Sequence, residues 1–153
     1  YSMKDTQNHR YKFLKHTADV KFQAKGKTLE KLFENSVFAL AEVMSKDIKI
    51  REKITKNIKI ISKDRETLLL NFLSHFLYLL DAEGFIIKKI IKIQIEENKK
   101  SKLFKLNAIA LGDNSKRYDI SNPVKAITYN EMFVKKEEKE RNNSWICQVV
   151  LDV

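Results

Sequence analysis

The spacing of apolar residues changes period several times along this chain, and each change marks an element. Val20, Phe22 and Ala24 alternate with Lys21, Gln23 and Lys25, the period of two of a half-buried strand. Tyr11 to Leu14 also reads as strand, the two stretches being interrupted or bent at His16 to Asp19, and Gly26 closes the second. Thr28 is placed to cap a helix over 29–45 with Glu30 in its first turn, and Leu29, Leu32, Phe33, Val37, Leu40 and Met44 form its apolar stripe. The period returns to two from Ile48 to Ile61, where isoleucines alternate with lysines. This predicts one strand, or a hairpin pair turning near Thr55 to Asn57.

Asp64 is placed to cap a second helix, from Arg65 to about Leu80. Leu69, Phe72, Leu73, Phe76, Leu77 and Leu80 make one stripe, which Leu68, Leu70, Tyr78 and Leu79 widen nearly all round. Such a helix is expected to be largely buried, with Gly84 as its stop. After Gly84 the chain reads as sheet: 85–97, 103–111, 124–135 and 145–152, separated by polar turns. The Lys135 to Arg141 charge run is the tip of a solvated hairpin. The expected fold is α+β, a mostly antiparallel β-sheet packed against two α-helices in the order β-α-β-α-β-β-β-β. Residues 11–153 form a single domain in this reading, preceded by a flexible polar arm over 1–10.

Composition narrows the class. At 153 residues with 43% hydrophobic and 33% charged side chains, the chain is long enough to bury a core. No apolar run reaches the roughly 20 residues of a membrane span, so no membrane association is expected. The first ten residues are too polar for a secretory signal. A single cysteine, Cys147, excludes an intrachain disulfide and a thiolate metal cluster, and favours a cytoplasmic or nuclear protein that is not secreted. The formal charge of +10 draws attention to RNA and other acidic partners, although the lysines are spread over nearly every element.

The usual enzyme signatures are missing. With three glycines there is no nucleotide-binding glycine loop, and no nucleophile elbow or zinc-type histidine pair occurs. His75 is more simply a helix-surface histidine than a catalytic one. What stands out are polar residues where strands should be apolar. Asp19 sits at the mouth of a strand beside His16 and Thr17, either as a turn residue or as an oxygen ligand. Asp152 follows Val149, Val150 and Leu151, and is either a strand stop or a second ligand, with the Val153 carboxylate adjacent if the chain ends there. Brought together, these oxygens would suit a hard divalent cation such as Ca, Mg or Mn. Lys125 shares a strand face with Ile127 and Tyr129. It either snorkels to water or offers an ammonium to a phosphate or a partner's carboxylate.

Together, His16-Thr17-Ala18-Asp19-Val20, Gly26-x-Thr28-Leu29-x-x-Leu32-Phe33, the Leu77-Tyr78-Leu79 to Glu83-Gly84 helix end, Val124-Lys125-Ala126-Ile127-Thr128-Tyr129 and Leu151-Asp152-Val153 resemble the archease family. The resemblance runs from about Tyr11 to Val153. It implies a noncatalytic, metal-binding cofactor that activates an RtcB-type RNA ligase in tRNA splicing. Such a cofactor promotes the ligase's guanylylation and multiple turnover, while GTP and RNA substrate belong to the ligase. By the same resemblance Asp19 and Asp152 lie at a divalent metal site, with Val153 as a further ligand. Lys125 is the functional lysine, and His16 occupies a motif position with a partner-facing role.

Lys21, Pro123 and Asn130 depart from the family pattern. The first two make the surroundings of the site more positive, which implies weaker metal affinity. Two alternatives stand beside the resemblance. One is a basic β-rich RNA-binding module using the lysines with Tyr129 and Phe133 in direct RNA contact. The other is a metal-dependent hydrolase on the same acidic residues, with His16 as base.

Overall fold

The structure, a computed structural model, describes residues 10–15, 19–139 and 142–153. Its strands form two antiparallel sheets. The first runs β1 (Tyr11–Leu14), β2 (Val20–Gly26), β7 (Asn142–Asp152), β6 (Ala126–Lys139); the second runs β3 (Ile54–Ser62), β5 (Phe104–Asn114), β4 (Phe85–Glu97). Helices α1 (Leu29–Ser45) and α2 (Arg65–Glu83) follow β2 and β3. The fold is α+β in the expected order, with the first β element resolved into two strands. These pair antiparallel, Phe13 opposite Phe22, so of the two expected forms the interrupted one holds.

Both helices begin where their caps require. Thr28 Oγ1 accepts the Lys31 N–H at 3.1 Å and Asp64 Oδ1 accepts the Thr67 N–H at 2.7 Å, each satisfying a donor the first turn would leave unpaired. Helix α2 continues one turn past Leu80 to Glu83 and stops at Gly84, whose φ of +62° is the left-handed conformation that favours glycine. Its burial is narrower than its composition suggests. Leu68, Leu69, Phe72, Leu73, Phe76 and Leu79 are buried, Leu70, Leu77 and Leu80 are half-buried, and Tyr78 is 55% exposed.

Each helix touches both sheets, α1 through β1, β2, β7 and β4, and α2 through β6, β3, β4 and β5. One continuous core cluster results, in which Phe33 of α1 stacks on Phe72 of α2 with ring centroids 6.0 Å apart and Phe72 meets Phe76 edge-on at 5.2 Å. At the start of α2 the Arg65 guanidinium lies 5.0 Å from the Phe104 ring and 5.1 Å from that of Trp145, contacting one residue from each sheet.

The Ile48 to Ile61 region departs from its expected form. Only Ile54–Ser62 is strand, and Thr55 to Asn57 lie inside it, paired to Leu111, Ala110 and Ile109. Alternation carries straight through Asn57, which faces solvent and keeps an ordinary negative φ, so nothing there turns the chain. Residues 48–53 lead into the strand outside the ladder, with Ile50 buried and Lys49, Arg51 and Lys53 exposed. The later strands also run past their expected ends, β5 to Asn114 and β6 to Lys139, shortening the polar turns between them. No helix of the described residues is long and apolar enough to cross a membrane. Apart from Arg10, the expected N-terminal arm lies outside the described residues.

Candidate functional site

The site is defined by strand register. β7 lies between β2 and β6, so whatever follows the last pairs on each side gathers at one end of the sheet. The β2–β7 ladder ends with Val20 opposite Leu151, and Asp19 and Asp152 are the next residues beyond that pair on the two chain segments. Opposing Cα atoms in antiparallel strands stand about 4.5–5.5 Å apart. On the other flank Ala126 pairs with Asp152, and the Lys125 N–H donates to the Asp152 carbonyl at 2.7 Å. Lys125 and Ala126 therefore both stand against Asp152. Four of the five residues singled out in the sequence, Asp19, Lys125, Asp152 and Val153, reach the same sheet end from three chain regions. The fifth, His16, lies outside the described residues.

Alternation explains the accessibility of the Asp152 carboxylate. Leu151 points into the core, so Asp152, the next residue of β7, takes the opposite face and is exposed, while Asp19, in the bend just before β2, is half-buried. Lys125 is exposed, whereas Val153 is half-buried against the core cluster.

A bulge in β6 folds over that outer face. Thr128 pairs with Val150 and Phe133 with Gln148, so four residues, 129–132, span what one residue spans in β7. Glu131 takes a φ of +54° in this excursion. Gln148 Nε2 donates to the Glu131 carbonyl at 2.8 Å, while Gln23 Nε2 donates to Gln148 Oε1 at 2.9 Å. Lys21, the cation that departs from the family pattern, places its ammonium 3.3 Å from the Glu131 carboxylate. Its charge is thus shared with Glu131 and bears less on Asp19 than the sequence suggests.

Among the described residues the donor set at this end is carboxylate and carbonyl oxygen. Among the described residues no group of three His, Cys, Asp or Glu is gathered as a metal site. Two aspartates at one sheet end fit a hard divalent ion that keeps several waters or completes its shell with a partner's oxygens. They do not fit a soft metal, which would seek thiolate or imidazole.

Three other titratable groups need placing. Asp113, which sequence reasoning passed over, is 1% exposed at the end of β5. Its carboxylate accepts the Tyr118 hydroxyl at 2.6 Å and the Asn114 N–H at 2.8 Å, and the Tyr118 bond first, then Asn114, hold its pKa below the usual range against some desolvation. Tyr118 also accepts the Arg51 N–H at 2.9 Å, so Asp113 anchors the 48–53 segment rather than a reaction centre. Its signal in the sequence is an aspartate flanked by Gly112 and Asn114 at a strand end. His75 stacks on Tyr78 with centroids 5.6 Å apart, and burial lowers its pKa. Cys147 is buried, 3.3 Å from Ser36 Oγ, and burial pushes its thiol up to about 11, the setting of an inert core cysteine.

The sequence profile of the Archease protein family (MTH1598/TM1083) matches residues 11–153. The chain belongs to the archease family. It is 34% identical over 153 residues to Protein archease of Methanosarcina barkeri, covering 97% of this chain and 99% of that one. Protein archease of Pyrococcus abyssi is 33% identical over 146 residues, covering 94% and 99% of the two chains. The solution structure of Methanobacterium thermoautotrophicum protein 1598 superposes with a TM-score of 0.77 at 27% identity, over 95% of this chain and all of the other. Archease identity supports a role as an RNA-ligase-associated protein, and the family name is not that of an enzyme.

Proposed function

We propose that the protein is a noncatalytic activator of an RtcB-type RNA ligase, promoting the ligase's guanylylation and repeated turnover in tRNA splicing in the cytoplasm or nucleus. The observation that carries this reading is the register of β7, which gathers Asp19, Asp152 and Lys125 at one accessible sheet end. Asp19 and Asp152 would hold a divalent cation, Ca, Mg or Mn, with the Val153 carboxylate as a further oxygen if the chain ends there. The ion supplies positive charge against which a partner's phosphate or carboxylate can bind. Lys125 offers an ammonium on the adjacent strand, suited to the same anionic groups. His16, in the connection entering β2, would face the partner.

In this reading the chemistry belongs to the ligase with its GTP and RNA. The reading is tested by incubating a cognate ligase with GTP and measuring covalent GMP on the ligase. Wild-type protein should accelerate labelling, and Asp19→Asn or Asp152→Asn should not. Equal acceleration by folded variants and wild type would remove the proposal.

A further inference from the structure

On the sheet remote from the β7 end, the solvent face carries a run of cations that the proposed activator role does not use. Alternation along β3 directs Lys53, Thr55, Asn57 and Lys59 outward. Register places Asn57, Ile109 and Lys92 in one cross-strand row and Lys59, Asn107 and Gln94 in the next. These two rows line a shallow groove of about 220 Å3. Toward the Gly112 end the face continues into a wider cleft of about 850 Å3, lined by Lys49, Ile50, Arg51, Glu52, Lys53 and Lys88. The two regions are continuous because the Lys53 N–H donates to the Gly112 carbonyl at 2.8 Å, which carries the β3 direction past the last ladder pair.

The charge on this face is mostly positive, with Glu96 beside Lys105 in the row beyond Gln94. Glu52, the only carboxylate lining the cleft, is held by Lys89 at 2.7 Å. Asp113 is buried and bound by Tyr118. Among the described residues no carboxylate lies within ion-pair distance of Lys49, Arg51, Lys53, Lys59, Lys88 or Lys92. From Lys53 to Lys59 the strand spans about 20 Å at its usual rise, room for several successive anionic groups. Amides of Asn57, Asn107 and Gln94 lie between the cations, able to donate to and accept from ribose hydroxyls and base edges.

We propose that this face binds the phosphodiester backbone of RNA. Charge complementarity selects the ligand: a track of unpaired cations suits an extended polyanion. Ile109 shares the centre with the amides and Ile61 is exposed at the far edge, but the row of Lys59, Asn107 and Gln94 lies between them, so they do not join into the apolar cluster a membrane surface would require. An acidic peptide shares the charge but lacks the hydroxyls that the amide row addresses. No aromatic side chain projects from this face, so bases do not stack on it and recognition follows the backbone without sequence preference. The surface is separate from Asp19 and Asp152, so the protein could hold RNA while its β7 end engages another protein.

Fluorescence anisotropy of the full chain with a labelled oligouridylate of about 12 nucleotides tests this, over roughly 50 to 200 mM salt. Wild type should bind with affinity falling steeply as salt rises. Lys53→Glu with Lys92→Glu should weaken binding at least tenfold and make the salt slope shallower by about 1.4, at about 0.7 for each phosphate no longer neutralised. Lys12→Glu with Lys27→Glu, equal in charge change but on exposed positions elsewhere, should cost less than threefold. Circular dichroism melts confirm that both pairs fold. Equal losses in the two pairs, no RNA binding at the lowest salt, or tighter binding to a labelled Asp/Glu-rich peptide than to the RNA would each overturn the proposal. An Asp19→Asn variant should bind RNA as wild type does, which keeps this outcome separate from the activator reading.

Discussion

The Lys125 N–H donates to the Asp152 carbonyl at 2.7 Å, tying the start of β6 to the penultimate residue of the chain. Asp19 lies just beyond the last β2–β7 pair, on the other flank of β7. The arrangement predicts that divalent cation binding depends on both aspartates. Calcium or manganese titrated by calorimetry should give one site in wild type. Either Asp19→Asn or Asp152→Asn should weaken it at least tenfold, about 1.4 kcal/mol, with little change in melting temperature because neither side chain belongs to the core. Affinity unchanged in both variants would separate these residues from any metal.

Gly112 leaves no room for a side chain. A Cβ there would stand 2.0 Å from the Ile86 carbonyl oxygen and 2.8 Å from the Phe85 ring. Gly112→Ala should therefore push β4 away from β5 and cost about 1–3 kcal/mol, a melting shift of roughly 2–4 °C per kcal/mol for a chain of this size. A thermal melt reads it directly, and an unchanged midpoint would contradict the close approach of the strands.

Two groups make stability fall as pH falls, each in its own window. His75 has a folded pKa below its usual 6.5 because burial disfavours the charged ring. The unfolded chain takes up that proton first, so this contribution is complete above 6.5 and declines as pH falls toward the folded value. Asp113 has a folded pKa below its usual 3.8, chiefly through the Tyr118 hydroxyl, so its contribution is complete above 3.8 and is lost as pH falls through the folded value. Urea denaturation at a series of pH values should show a His75→Gln variant with a flatter profile just below 6.5, and Tyr118→Phe with a smaller loss below 3.8. Parallel profiles for wild type and variants would contradict these assignments.

Cys147 is buried with its thiol raised to about 11. It should resist Ellman's reagent at neutral pH in the native protein and react fully in denaturant. Rapid labelling without denaturant would contradict its place in the core.

Local elements were legible where a chemical stop coincided with a change of period. Helix α1 occupies the expected residues because Thr28 supplies a cap just before the stripe starts and the apolar spacing lapses after Met44. Of the two forms open for Ile48 to Ile61 the single strand holds and the turn at Thr55 to Asn57 does not, since an asparagine facing solvent from a strand looks, in one dimension, like an asparagine in a turn. The width of α2's apolar surface overstated its burial, since Tyr78 spends that width on solvent and a stack with His75.

The candidate site was legible as residues but not as a place. Nothing near Asp19 specifies that β2 will pair with β7 rather than with β3; in the fold both β2 and β7 pack against α1. The β6 bulge escaped for a related reason. Glu131 adopts a positive φ without being glycine or asparagine, held by the Gln148 amide and the Lys21 ammonium rather than by its own preference.

The central claim is that Asp19 and Asp152 act together in activating an RNA ligase. Multiple-turnover RNA joining by a purified cognate ligase, with ligase limiting and the protein added in increasing amounts, tests it most directly. Wild type is predicted to raise the number of turnovers, and folded Asp19→Asn and Asp152→Asn variants to lose most of that stimulation. Full stimulation by both variants, or none by wild type, would contradict the account.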